Sequence, residues 1–492
     1  MGVLQALLLV AALGALLYLL LIRPVFPARA LFIALAAAFL VSTLPSLAGR
    51  YAPISPTLAA AALALAIPVL GLLAWLFRAR PVALIYALVA TMPLRVPIPV
   101  GARSVFLLVP LYVVILAGFL SLPSSGDEIE RWRRDPLRLP LAALVALAGL
   151  SLLYTADPVT GVIRFTCFWL AFVLLYDLAV ARSSIDRVRF HAVAALLGSG
   201  AVLAAIGLIQ RALGLVLYNA RVSEGYFAQT SFRVNSLFWD PNMFGRFLVV
   251  VILVAAVELL GRRDRALVLP SGAAAVVSLP ALALTYSRSS WIALAAGLVL
   301  LAWHFAGRAR ALAVATALVL AVVIMFGAID APQFNLPTRP HARLYWEKFS
   351  GGRLGLIEGG AAIFAAHPVA GVGIGAFPAV FPNFRPPGYR SSVVESHNSL
   401  TTIAAELGLI GLALLAWLLF AVARVWRRVV SEDSDDPKLA AAFLVAAAAA
   451  AVHSLFYGAL FEDPFVWFLL AAPAALWAGA RGLAPHCGGR TN

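Results

Sequence analysis

The chain has 492 residues, 63% hydrophobic and only 12% charged, with a formal net charge of +15 and a mean hydropathy of +0.96. A soluble protein of this size is about half apolar and about a quarter charged, so a water-soluble globular enzyme is excluded. The positive charge is not a nucleic-acid footprint either, because the basic residues follow the connections between apolar blocks.

Those blocks run to about twenty residues, the length that crosses a bilayer core as a helix. The alternating ten-residue segments of a membrane barrel are absent. About fifteen blocks qualify as spans. They centre near Leu9, Ala37, Leu65, Ala87, Val113, Leu144, Leu170, Leu203, Val251, Val276, Gly297, Val319, Ala413, Ala447 and Leu470, with those at Ala87 and Leu144 the weakest. The sequence thus predicts an all-α, polytopic transmembrane bundle of about 14 spans with one long, partly helical extracytoplasmic loop. The first block has no cleavage signature and is read as a helix rather than a removed signal. Cys167 and Cys487 make no disulfide framework.

Most of the 37 basic residues lie in alternate connections, from Arg23 and Arg29 through Arg131–Arg138 to Arg424–Lys438. The positive-inside rule makes those connections cytoplasmic. The N-terminus is then outside, the C-terminus inside and the Asp330–Ser396 loop outside. Three parts follow: N-terminal transmembrane helices over 1–329, an extracytoplasmic catalytic loop over 330–397, and C-terminal transmembrane helices over 398–492.

Along the chain, residues 1–122 are nearly featureless spans, broken by P-L-R-V-P-I-P, a stiff outer turn carrying Arg95. The mixed-charge inner loop S-S-G-D-E-I-E-R-W-R-R-D-P-L-R suits anionic lipid headgroups. The first substantial outer loop holds F-R-V-N-S-L-F-W-D-P-N-M-F-G, in which Asp240-Pro241-Asn242 signals a helix start with Asn242 as a possible cap. Arg233 lies upstream of it. In T-Y-S-R-S-S-W-I, Arg288 has almost no loop to escape into, so it pairs, faces a cavity, or snorkels to the headgroups.

The long loop contains R-L-G-L-I-E-G-G-A-A-I-F-A-A-H, helix-like from Arg353, and then G-V-G-I-G-A-F. Gly371, Gly373 and Gly375 would let backbone N–H groups approach an anion. No strand–turn–helix unit surrounds them, so this is not a dinucleotide fingerprint. The loop closes on V-V-E-S-H-N, which puts Glu395, His397 and Asn398 at the head of an apolar helix. Read as a helix, His397, Thr401, Ala404, Gly408 and Gly411 share one small, smooth face. His453, inside a later span, reads as a packing residue.

These motifs resemble the O-antigen ligase and O-antigen polymerase family. H-N, nine residues, then G-L-I-G is similar to its signature. R-V-N-S-L-F-W-D-P-N resembles its first arginine segment, Y-S-R-S-S-W-I its second, and the stretch from Arg353 to Phe377 its long-loop segment. The resemblance covers roughly residues 150–480. One departure is Ile292, where family ligases often carry leucine. The resemblance implies an integral-membrane glycosyltransferase of the bacterial inner membrane, working on the extracytoplasmic side. Its partners would be an undecaprenyl-diphosphate-linked glycan donor, a lipid or glycan acceptor and membrane lipid.

Residues and resemblance lead to one chemical expectation. As the sugar C1–O bond breaks, charge grows on the diphosphate, and an arginine fork suits phosphate geometry. Arg233 and Arg288 are the catalytic cations and His397 the general base. Arg353, Asn398, Glu395, Asn242 and Gly373 bind substrate or orient the imidazole. No Asp-x-Asp pair occurs on the outer side, and the D-S-D at Asp433 is on the inner side. No metal or other cofactor is expected, guanidinium groups taking a divalent cation's role. A ligase, a repeat-unit polymerase and a transporter or flippase all remain compatible, although no inverted repeat marks a transporter.

Overall fold

A computed structural model describes residues 3–21, 35, 56–100, 103–122, 135–182, 188–217, 232–261, 265–310, 312–317, 352–387, 389, 396–429 and 437–480. Glu395, most of the block near Ala37, residues 318–351 with the centre of the block near Val319, and the inner loop's D-E-I-E-R-W-R-R run lie outside these residues.

The described residues are overwhelmingly helical. In chain order the principal helices are α1 Val3–Leu21, α2 Pro56–Ala79, α3 Pro81–Thr91, α4 Val109–Leu120, α5 Arg138–Leu150, α6 Pro158–Ala181, α7 Val188–Leu213, α8 Pro241–Gly261, α9 Arg265–Leu284, α10 Arg288–Ala306, α11 Arg353–Ala366, α12 Ser399–Val429, α13 Pro437–Ser454 and α14 Pro464–Ala480. Six of them, α6 to α10 and α12, are long and apolar enough to cross a membrane. Others are shorter apolar helices, among them α3 and α4.

The purely helical expectation needs one correction. Val96–Val100 and Arg103–Leu107 pair as an antiparallel hairpin, with Ile98 opposite Val105. The stretch read as a stiff turn is extended because Pro97 and Pro99 fix φ and cannot donate to a helix ladder. A two-stranded ribbon has only edge strands, where proline is tolerated.

Helix α8 is central, with 78% of its apolar window buried. It packs against α7, α9, α10 and α13. At one end the rings of Phe238, Phe244, Phe247 and Phe465 lie 4.7–6.3 Å apart and join the 232–240 segment to α8 and α14. Arg246 on α8 meets Asp463 at 2.6 Å with both side chains buried, so each charge is paired inside the bundle.

The expected smooth face on α12 does not form. His397 precedes the helix at φ 49°, and the helix is broken at Gly408 (φ 64°, ψ −157°). A non-helical residue there would strand backbone groups. The 368–373 segment takes them up: Val372 and Gly373 N–H donate to Ala405 and Glu406 O at 3.0 and 2.9 Å. On the other side, Leu409 and Ile410 N–H donate to Pro368 and Val369 O at 2.8 and 3.3 Å. The glycine-rich stretch is therefore a backbone splint across a broken helix.

Candidate active site

The arginine-bearing loop before α8 is fixed from below by an amide no motif announced. Gln210 Nε2 donates to Asn235 Oδ1 at 2.7 Å, and Gln210 Oε1 accepts from the N–H groups of Asn235 and Ser236. Both amide side chains are fully buried and satisfied, which fixes the loop in one conformation. Arg233 is then held twice: Nε donates to Thr285 O at 2.8 Å and Nη2 to Asn242 Oδ1 at 3.2 Å.

Asn242 is not the helix cap. Asp240 Oδ1 accepts from Asn242 N–H at 2.6 Å and from Asn242 Nδ2 at 2.8 Å, with Pro241 at the first helical position. Asn242 thus relays between the capping carboxylate and Arg233.

Arg288 and Arg353 are the first residues of α10 and α11, behind Ser287 and Gly352. His397 stands immediately before Asn398, whose Oδ1 accepts from Thr401 N–H at 3.0 Å as the cap of α12. Asn398 Nδ2 donates to Leu455 O at 2.8 Å. Both ends of that amide hold structure. Gly373 also serves structure. Its N–H is given to Glu406 O, and a Cβ there would lie 2.4 Å from Thr155 Cα.

Four helix N-termini, each with a partial positive charge, therefore carry Asp240, Arg288, Arg353 and His397. These side chains share one electrostatic neighbourhood. Burial holds the Arg233 guanidinium below its ordinary pKa; Asp240 and Tyr457 oppose that shift and Arg288 adds to it. Burial does the same to Arg353, reinforced by Arg288 and Arg233. The His397 imidazole is pushed down by burial and then by Arg353, against Asp240. Its ring lies 5.8 Å from that of Tyr457, which lies 5.9 Å from His453. His453 Nε2 is 3.0 Å from Ser289 Oγ, beside Arg288.

His397 and Tyr457 also line a cleft of about 230 Å³. The three arginines of the motifs do not line it. Its charged walls are Arg95, Arg164, Glu406 and Glu462. Arg164 bridges the glutamates, with Nη1 3.3 Å from Glu406 and Nε 3.5 Å from Glu462. Glu406 Oε1 also accepts from Phe377 N–H at 3.1 Å. Glu406 and Tyr457 were missed in the sequence. A carboxylate inside an otherwise apolar span was the available signal for the first; none marked the second.

Among the described residues, the non-glycine positions with positive φ are Ser236, Tyr286, His397 and Ala459. They fall in three of the four motif segments and in the turn beside His397.

No curated protein matches the chain. Residues 273–416, which carry Arg288, Arg353, His397 and Glu406, match a family model described as O-antigen ligase. The match spans less than a third of the chain and supports an O-antigen ligase-type membrane glycosyltransferase.

Proposed function

We propose that the chain moves a glycan from an undecaprenyl-diphosphate carrier to an acceptor hydroxyl, with inversion and without a metal, on the extracytoplasmic face of the bacterial inner membrane. One observation carries this reading: His397 shares a neighbourhood with Arg353 and Asp240 on one side and lines the cleft on the other. Three arginines and four helix N-termini suit a diphosphate. A base between leaving group and acceptor is what direct displacement requires.

The acceptor oxygen attacks C1 as the C1–O bond to the diphosphate breaks. The bonding pair leaves on the diphosphate oxygen, where Arg233, Arg288 and Arg353 stabilise it. The hydroxyl proton passes to a ring nitrogen of His397, which the depressed pKa keeps neutral near pH 7. No sugar–enzyme bond forms, so the anomeric centre inverts.

The test is donor-lipid affinity alongside turnover, for purified variants in nanodiscs. His397→Ala should lose about 10²–10⁴-fold in turnover and keep donor affinity, since the lost interaction belongs to the transition state. Arg233→Ala and Arg288→Ala should lose both, and lysine should restore binding more than transfer. Parental turnover in His397→Ala would remove the base assignment. Products with one added glycan indicate a ligase, and a ladder indicates a polymerase.

A further inference from the structure

Two regions meet at His397, and their charges differ. The arginine region sets Arg233, Arg288 and Arg353 against Asp240. In the cleft, Arg95 and Arg164 face Glu406 and Glu462, two cations against two anions. Arg164 is already engaged by both carboxylates at 3.3 and 3.5 Å. An anion entering the cleft would meet two cations balanced by two glutamates, whereas the other region sets three arginines against one aspartate, so a diphosphate is sorted there.

The rest of the cleft suits a different ligand. Trp239, Phe168 and Phe461 contribute to its wall, and Glu462 is partly exposed there, its side chain 27% accessible. Aromatic faces offer a sugar ring's C–H groups an apolar platform, while a carboxylate accepts from hydroxyls through about four lone-pair sites. At about 230 Å³ the cleft falls under the range of drug-sized pockets, roughly 300–1,000 Å³, which favours a group the size of a single sugar.

We infer that this cleft is a binding subsite for an uncharged, hydroxylated sugar ring, stacked on Trp239 and hydrogen-bonded by Glu462, with Arg164 holding the Glu406 and Glu462 carboxylates in place. The inference rests on the transferase reading. The ring belongs either to the acceptor or to the first sugar of the donor.

The experiment uses the full chain in nanodiscs and three probes. They are the glycan freed by mild acid from the source cells' lipid-diphosphate carriers, the deacylated envelope glycolipid of the same cells, and inorganic diphosphate. Trp239→Ala and Glu462→Gln should each weaken at least one glycan about tenfold, the scale of one stacking contact or charged hydrogen bond, and leave diphosphate affinity unchanged. Trp239→Phe should recover most of the loss, which a merely structural role of the side chain would not require. A loss confined to the freed glycan identifies the donor's ring, and a loss confined to the glycolipid identifies the acceptor's; either supports the subsite. Parental affinity for both glycans in Trp239→Ala and in Glu462→Gln overturns it, as does an equal loss for diphosphate. Arg233→Ala is measured in parallel: unchanged diphosphate affinity there would remove the arginine assignment, while the glycan results still decide the cleft.

Discussion

Gly408→Ala tests whether the broken helix is required. At φ 64° and ψ −157° this residue occupies backbone space nearly closed to side chains, a strain of about 1–3 kcal/mol. A Cβ would also stand 2.4 Å from Val369 O, 2.5 Å from Val369 C and 2.7 Å from Ala370 N. Those are backbone atoms, and they cannot retreat without loosening the bonds from Leu409 and Ile410 N–H at 2.8 and 3.3 Å. Each such bond contributes about 1 kcal/mol net. The total expected loss is therefore about 3–5 kcal/mol, strain and two bonds together. Gly272→Ala, inside α9 with nothing within 4 Å of its new Cβ, is the comparator. It should be neutral or stabilising by up to about 1 kcal/mol. The assay is the temperature at which each purified variant loses its monodisperse peak in detergent, together with turnover. Gly408→Ala should melt well below the parent and transfer poorly, because the same splint positions Glu406 and the head of α12. If it melts with Gly272→Ala and turns over like the parent, the break is not a constraint and the splint argument fails.

Other consequences are equally direct. Burial and Arg353 lower the His397 pKa from its ordinary 6.5, so the neutral base persists into mild acid; turnover should hold through neutral pH and fall only below that value. Arg353→Gln should move the fall to higher pH, and a parental midpoint above 6.5 in the pH–rate profile would contradict the assignment. Removing one partner of the buried Arg246–Asp463 pair, as in Asp463→Asn, should destabilise by about 3–5 kcal/mol in thermal melts, and replacing both partners with apolar residues should recover much of that. Ala459 sits at φ 98°, so Ala459→Gly should raise the melting temperature by relieving about 1 kcal/mol or more of strain; a lower melting point would mean that the angle is not strained.

The apolar blocks, the arginine segments and the H-N junction were all legible in the sequence, because each depends on local composition and spacing. Hydrophobic length alone marks α6 to α10 and α12 as long apolar helices, since a run of such residues has few places to go but lipid or core. Arg233, Arg288 and Arg353 stood out because a boundary guanidinium needs a reason to be there. That they and His397 share one neighbourhood was not legible. It depends on helices α8, α10, α11 and α12 bringing their N-termini together, across more than 150 residues of chain.

What the glycines approach depends on the fold for the same physical reason. A Gly-x-Gly-x-Gly run shows that the backbone must bend or come close to something, but not to what. Only the tertiary structure shows that the partners are Thr155, the carbonyls of Ala405 and Glu406, and the Glu406 carboxylate, which accepts from Gly375 and Phe377 N–H. Likewise, periodicity put Gly408 on a continuous helical face, because the sequence period is blind to a break whose hydrogen bonds are completed from a segment 33 to 41 residues away. Local sequence sets which residues can bend, cap or carry charge; long-range backbone pairing and burial decide which of them meet.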